Sequence, residues 1–317
     1  MRARNALKIA MGNYSLVFKN LLYKFAVFSI FALSLGLILK IAINPFVEAF
    51  RPVLKALWGV VTAIVSGDAH DSARALLKGE FNVFLTFLSD NIGGIVWMVV
   101  IVVVFVLVYR FVTGVSDCTL MILVNGHMTD MSHRGYLVVM IENLKKILVY
   151  QLIDAFSTVI YSVVVGVIVW GVFKLLILVM PLLALFGCGL VLVLAVALYS
   201  TVFSQVMANL LIGGHKSVKT AFASGFVPKK EYFFKMFASY LAVALIIVYL
   251  YVSVAIFTFG VGLLLLIPFS SLLVVCMKTV DFFTINKKKY FVDYDTIVVP
   301  KELRENDEKL LSDEIEI

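Results

Sequence analysis

Charge is scarce in this 317-residue chain: Asp, Glu, Lys and Arg make up 15% of it, against 62% hydrophobic residues. A soluble domain carries about a quarter charged residues, so the composition excludes an ordinary water-soluble fold. Cysteine is nearly absent as well. Cys118, Cys188 and Cys276 are isolated and odd in number, and two of them sit inside apolar runs. That excludes a disulfide framework and a cysteine zinc site. The chain has no GxSxG, P-loop, HExxH or Rossmann fingerprint. No nucleophile–base pair or metal set can be assembled from it, so the expectation is a non-enzyme with no cofactor. The formal charge is +7, but no nucleic-acid-binding motif accompanies it, and nucleic acid is not expected as a partner.

What the chain does have is long uncharged runs. IVWMVVIVVVFVLVY (95–109) and LLLLIPFSSLLVVCM (263–277) carry no charge, and crossing the hydrocarbon takes about 20 apolar residues as helix. Six spans can be drawn, at about 22–43, 92–113, 147–170, 176–203, 236–258 and 261–280. The basic start of the chain leads into a long apolar run without a small-x-small cleavage site, and so reads as a retained first span rather than a signal peptide. Lys and Arg are distributed unevenly. Residues 1–24, 110–146, 204–235 and 278–317 hold five, four, five and seven of them, while the intervening connections hold six in total. The positive-inside rule then places both termini in the cytoplasm.

Two external connections, Gly171 to Lys174 and Phe259-Gly260, are short enough to make tight antiparallel hairpins. The connection between the first two spans is nearly 50 residues long. Asn44-Pro45 reads there as an N-cap with proline at the first helical position. Glu48, Arg51 and Lys55 then recur at helical spacing opposite apolar residues, which predicts an amphipathic helix over the start of the 44–91 insert. A polar break, SGDAHDS (66–72), leads to a second helix.

The chain also repeats itself. At an offset of 88, Ser116 meets Ser204, Asp117 meets Gln205 and Leu123 meets Leu211; Gly126, His127 and Thr129 then meet Gly214, His215 and Ser217. A fixed offset marks a duplicated unit. Glycine after the last apolar residue suits a left-handed C-cap, and the hydroxyl that follows suits an N-cap. Downstream, LYKF (22–25), LKKI (144–147) and FFKM (233–236) recur just before spans. This places Lys24, Lys146 and Lys235 toward lipid headgroups, with Asn5 as the cap of a first copy. Three units follow, each a cytoplasmic interfacial helix plus a two-span hairpin. Ala221, Phe222, Gly225, Phe226, Phe233, Lys235 and Phe237 of GHKSVKTAFASGFVPKKEYFFKMF resemble bacterial multi-span families related to the membrane domain of glycerophosphodiester phosphodiesterases. The resemblance covers the last two-thirds of the chain and implies an architecture. It brings no catalytic residues, because no soluble phosphodiesterase domain is present.

Candidate chemistry is thin. His127, Asp130 and His133 form H-x2-D-x2-H, but the outer histidines stand about 120° apart on a helix, too divergent for zinc without a further ligand. Asp154 lies within LVYQLIDAFSTVIYS, with Gln151, Thr158 and Ser162 on its helical face. Thr201, Gln205 and Asn209 form a second polar stripe that can face it. Ionisable residues in spans point at a partner, a cavity or a substrate path; interhelical hydrogen bonding is the structural alternative. Pro181, Pro268 and the glycines at 187 and 189 are ordinary in spans and equally compatible with kinks.

After the last span, residues 289–299 are rich in strand formers and predict a short hairpin or edge strand. The segment KELRENDEKLLSDEIEI has seven acidic and three basic residues, as in a solvated helix or disordered tail. The sequence thus predicts an all-α polytopic protein of the cell membrane, with a membrane domain over 1–285 and a cytoplasmic tail over 286–317. It would act through membrane lipids or an envelope protein partner; the alternative is a small-solute transporter or channel with a polar site around Asp154.

Overall fold

Hydrocarbon offers no water to peptide groups, so apolar runs of this length fold as helices that satisfy their own backbone. The computed structural model of the chain is built accordingly. It describes residues 2–66, 70–131, 134–177, 181–214, 219–221, 223, 230–293 and 296–299. The helices are α1 (Arg2–Gly12), α2 (Ser15–Ser66), α3 (His70–Asp90), α4 (Ile92–Asp130), α5 (Tyr136–Glu142), α6 (Leu144–Ile177), α7 (Pro181–Leu211), α8 (Lys230–Phe257) and α9 (Leu263–Ile285). An antiparallel hairpin of β1 (Tyr290–Asp293) and β2 (Thr296–Val298) follows, within the segment predicted for it. Six helices are long and apolar enough to cross a membrane: Ser15–Ser34, Val100–Asp130, Leu144–Leu176, Leu183–Leu211, Tyr232–Phe257 and Leu263–Ile285. The chain divides into two compact units, Met1–Phe25 with Phe111–Ile317, and Ala26–Arg110.

In the first unit the core gathers at one end of the bundle, where α2, α6 and α8 begin and α4, α7 and α9 finish. Val17, Cys118, Leu120, Met121, Val124, Ile147, Val206, Met236, Leu272 and Met277 are all fully buried there. The other halves of these helices present Phe156, Trp170, Phe186, Leu190 and Tyr249 outward, a surface suited to lipid. Helix α1 packs against α8, α9 and β1. It buries Ala6, Ile9 and Ala10 completely, and Asn5 Nδ2 donates to the Tyr290 hydroxyl at 2.9 Å. Asn5 is therefore inside α1 and tied to the hairpin, not a cap. The predicted tail is also partly structured, since Tyr290 and Val292 are buried.

The joint between hairpins departs from the expected geometry in one of its two copies. Gly214, with φ +68°, follows the last turn of α7, where Ile212 and Gly213 both donate to the Ala208 carbonyl. Gly126, by contrast, lies within α4, which runs on to Asp130. The Thr129 hydroxyl donates back to the Asn125 carbonyl at 2.9 Å and so does not cap a following helix. The left-handed residue there is Met131, φ 53°, and Gly135 is the N-cap of α5 without a side-chain bond. Asn125 and Met128 are carried into the helix by packing: Met128 and His127 are buried, and that burial outweighs the glycine's weak preference to stop. His133, His215 and Ser217 lie outside the described residues.

An asparagine closure occurs at four helix ends instead, Asn91 bonding Phe87 and Asn286 bonding Phe282 as Asn13 and Asn143 bond their own partners. Before α2, the Asn13 backbone N–H and Nδ2 both donate to the Ile9 carbonyl at 3.0 Å, and Leu16 N donates to the Asn13 carbonyl at 2.9 Å. Before α6, Asn143 does the same to Val139, at 3.2 Å from its backbone and 3.0 Å from its side chain, and Ile147 N donates to the Asn143 carbonyl. Each of these last two asparagines closes a short helix and lets the chain turn into a long one. Aligned on this elbow, Lys24 lies eleven residues beyond Asn13 but Lys146 only three beyond Asn143. Lys24 is thus eight residues, about 12 Å, deeper than the lysine it was paired with.

The second unit contains the rest of α2, all of α3 and the start of α4. Asn44-Pro45 does not begin a new helix, because α2 runs on with Pro45 and Pro52 inside it. Each proline removes one backbone donor, and Asn44 Nδ2 reaches Glu48 Oε1 at 3.3 Å, within the same helix. Glu48, Arg51 and Lys55 are exposed, and so are the apolar Leu54, Leu57 and Trp58 of the same stretch. Helices α2 and α3 meet antiparallel through Phe46–Phe87 and Phe50–Phe84, with ring centroids 5.5 and 5.0 Å apart. Of the two short connections expected to make tight hairpins, Phe259-Gly260 is a turn with both residues left-handed, φ 49° and 86°. Gly171 to Lys174 is helical, within α6; the apolar residues on both sides of it prolong the helix by about two turns.

Placing an aspartate at Ile9 would put a carboxylate among fully buried atoms and release α1 from α9. Limited trypsin digestion in mild detergent should then cut after Lys8 at least several times faster than in the wild type. Unaltered cleavage would show that α1 is not held by this contact.

Candidate functional site

The polar residues of the spans form clusters with distinct surroundings. The first is built on Asp154. Its Oδ1 accepts from the Tyr199 hydroxyl at 2.7 Å and from Tyr150 at 3.4 Å, while Thr158 and Tyr199 share a bond of 2.8 Å. Gln151 points the other way, its Nε2 donating to Cys118 Sγ at 3.0 Å. Gly114 makes room for that amide, since a β-carbon there would overlap the Gln151 side chain. Ser162 is exposed and lies outside the cluster. Gln205 is buried, and its Nε2 has no hydrogen-bond partner among the described residues. The expected polar site is therefore a set of interhelical ties between α6, α4 and α7. Asp154 is engaged by two tyrosines and lines no described cavity.

A second cluster centres on Asn20, fully buried. Its Oδ1 accepts from Ser116 Oγ at 2.7 Å, and its Nδ2 donates to the Pro268 carbonyl at 3.2 Å. Ser116 is also 2.5 Å from the Tyr136 hydroxyl. Burial pushes the Tyr136 phenol above its ordinary value, against the smaller lowering effect of the bond to Ser116. Helices α2, α4, α5 and α9 are joined by this one set of groups. A third contact anchors the N-terminus: Arg2 lies 3.4 Å from the fully buried Asp281 carboxylate and over the ring of Tyr232.

The fourth cluster borders open space. Lys24 Nζ donates to Asp117 Oδ1 at 2.8 Å and to Ser271 Oγ at 2.9 Å, and Ser271 donates to the same carboxylate oxygen at 2.5 Å. These groups lie at the edge of a cavity of about 530 Å³, a size typical of small-molecule sites. Its walls are aliphatic, from α7 (Leu192, Val193, Val196), α8 (Val243, Ile247, Val248) and α9 (Ile267, Val274). Tyr251 and Ser270, hydrogen-bonded to one another, interrupt the apolar wall. The remaining polar lining is Ser200, Tyr240 and Lys278. Lys24 thus departs from the headgroup-facing position expected of it: its side chain is 17% exposed and paired with Asp117. Lys146 and Lys235 are exposed.

Sequence reasoning passed over Asp117, Lys278 and Asp281 as site residues. All three are ionisable groups inside apolar stretches, the signal that picked out Asp154. Spans drawn to end at 113 and 280 left Asp117 and Asp281 outside the membrane and Lys278 at its edge, whereas α4 and α9 continue to Asp130 and Ile285. No group of three or more His, Cys, Asp or Glu residues suited to a metal occurs among the described residues. Comparison with protein-family models, curated proteins and solved structures returns no match.

Tyr199→Phe removes the shorter bond to a buried carboxylate and should cost about 1–3 kcal/mol, read as a lowered unfolding temperature in mild detergent. A variant as stable as the wild type would remove the structural role assigned to Asp154.

Proposed function

We propose that this chain is a non-enzymatic, multi-pass protein of the cell membrane that holds a lipid-like amphiphile between α7, α8 and α9. The observation that carries this reading is the cavity: aliphatic walls along most of its length, with Lys24, Asp117, Ser200, Ser271 and Lys278 gathered on its polar lining. A polar head and an apolar chain match that division. The transporter alternative built on Asp154 has less support, because its carboxylate is occupied by Tyr199 and Tyr150. An envelope protein partner remains compatible with lipid binding, and the helical pair of the second unit is the surface it would meet.

The topology proposed with this function has both termini in the cytoplasm and an ancestral unit of short helix plus hairpin used three times. Short helices α1 and α5, each leading directly into a long one, support two of those units. The basic residues around α1, α5 and the α9–β1 connection support the orientation. The likeness to the membrane domain of glycerophosphodiester phosphodiesterases is proposed for architecture alone.

Ala244 lines the cavity on α8, and Ala244→Trp should fill much of it. Protein purified in mild detergent should then retain several-fold less co-purified lipid per mole, at unchanged helicity. Equal lipid content in the two proteins would sink the proposed site. Orientation is read separately, in a Cys188→Ala background. Phe259→Cys should react with an impermeant maleimide on intact cells, and Lys287→Cys only after permeabilisation; the reverse pattern would invert the topology.

A further inference from the structure

Within a bilayer, moving an acyl chain from lipid into an aliphatic cavity changes its surroundings little, since lipid tails are as apolar as leucine. The walls of the cavity therefore admit a chain without selecting it. Selection has to come from the polar end, where the charges can be counted. Lys24 is neutralised by Asp117 at 2.8 Å and held further by Ser271. Lys278 is different. It lines the same cavity, seven residues or about 10 Å inside the end of α9. Its ammonium has one hydrogen-bond contact, the weak acceptor Met207 Sδ at 3.7 Å. No carboxylate among the described residues pairs with it. Asp281, one turn further along α9, meets Arg2 through one carboxylate oxygen, the other having no hydrogen-bond partner among the described residues; Asp117 is committed to Lys24 and Ser271.

A cation within a span is costly unless it meets an opposite charge. The cavity lining therefore carries one uncompensated positive charge. We propose that Lys278 is the recognition residue for the headgroup of a singly charged anionic lipid, whose chain lies along Val196, Val243, Ile247 and Val274. This rests on the lipid-binding reading above and adds the class of lipid. Ser200 on α7 supplies a hydroxyl on the same lining, suited to a second hydrogen bond to a phosphodiester or carboxylate. The Lys24–Asp117 pair, net neutral, limits the site to one negative charge. A dianion would leave one charge unmatched in a low-dielectric surrounding, where that costs most.

The test uses the full chain reconstituted in nanodiscs of phosphatidylcholine containing one-tenth phosphatidylglycerol, followed by gentle extraction and native mass spectrometry. The wild type should raise the bound phosphatidylglycerol-to-phosphatidylcholine ratio about tenfold over that of the bilayer, to roughly one to one, the effect of one charge-assisted contact of about 1.4 kcal/mol. Lys278→Gln should bring retention down to the bilayer ratio, and Lys278→Arg should restore most of it. Asp117→Asn exposes a second uncompensated cation and should shift retention toward a dianionic lipid, phosphatidic acid, offered in the same discs. Phosphatidylglycerol enrichment that survives Lys278→Gln would overturn the proposal, as would enrichment lost equally in Lys278→Arg. Phosphatidylcholine retained in the wild type and lost in Ala244→Trp, without any anionic preference, would overturn the headgroup assignment while leaving the lipid site standing. No lipid of either kind held in a cavity-dependent way would remove both.

Discussion

A polar group within this bundle has only the protein to turn to for a partner, because hydrocarbon supplies none. The arrangement of the first unit follows from that constraint. Asn20 accepts from Ser116 and donates to the Pro268 carbonyl, and Tyr136 completes the set. Four helices are thereby fixed in register by groups that apolar packing could not orient. Leucine, valine and isoleucine fill space between helices in a membrane without favouring one rotation over another. Hydrogen bonds are directional, and here they select the rotation.

The same constraint separates the structural clusters from the one that borders a cavity. Asp154 accepts through Oδ1 from tyrosine hydroxyls on its own and a neighbouring helix, which ties α6 to α7. Lys24 and Asp117 are matched to each other, yet they sit at the margin of open space that also contains Lys278. Charge is balanced in the first case by tyrosine donors and in the second only in part. That imbalance gives the cavity a chemical preference where its walls have none.

The paired glycines show how a match in sequence can part in structure. Gly126 and Gly214 align at a fixed offset, but only Gly214 adopts the left-handed conformation. The buried turn around His127 and Met128 carries α4 past its glycine. At Asn13 and Asn143 the backbone N–H and Nδ2 both donate to a carbonyl four residues back, of Ile9 and Val139, both fully buried. Little of this was legible, since an asparagine between two helical stretches is common. Its function here depends on a carbonyl four residues back and on what buries that turn.

Hydropathy by itself determined six helices long and apolar enough to cross a membrane, and strand-forming residues determined a short hairpin after the last. Length and apolarity are local properties, and the bilayer enforces them whatever the neighbours are. The sequence also singled out Asp154, Gln151 and Thr158 as buried polar residues. Which of the ionisable residues meet each other was decided only in three dimensions. Lys24 and Asp117 are 93 positions apart, and Asp117 and Ser271 are 154. No periodicity within one helix encodes such pairings. They arise when separate spans assemble around a common interior, and the same assembly leaves Lys278 facing a cavity.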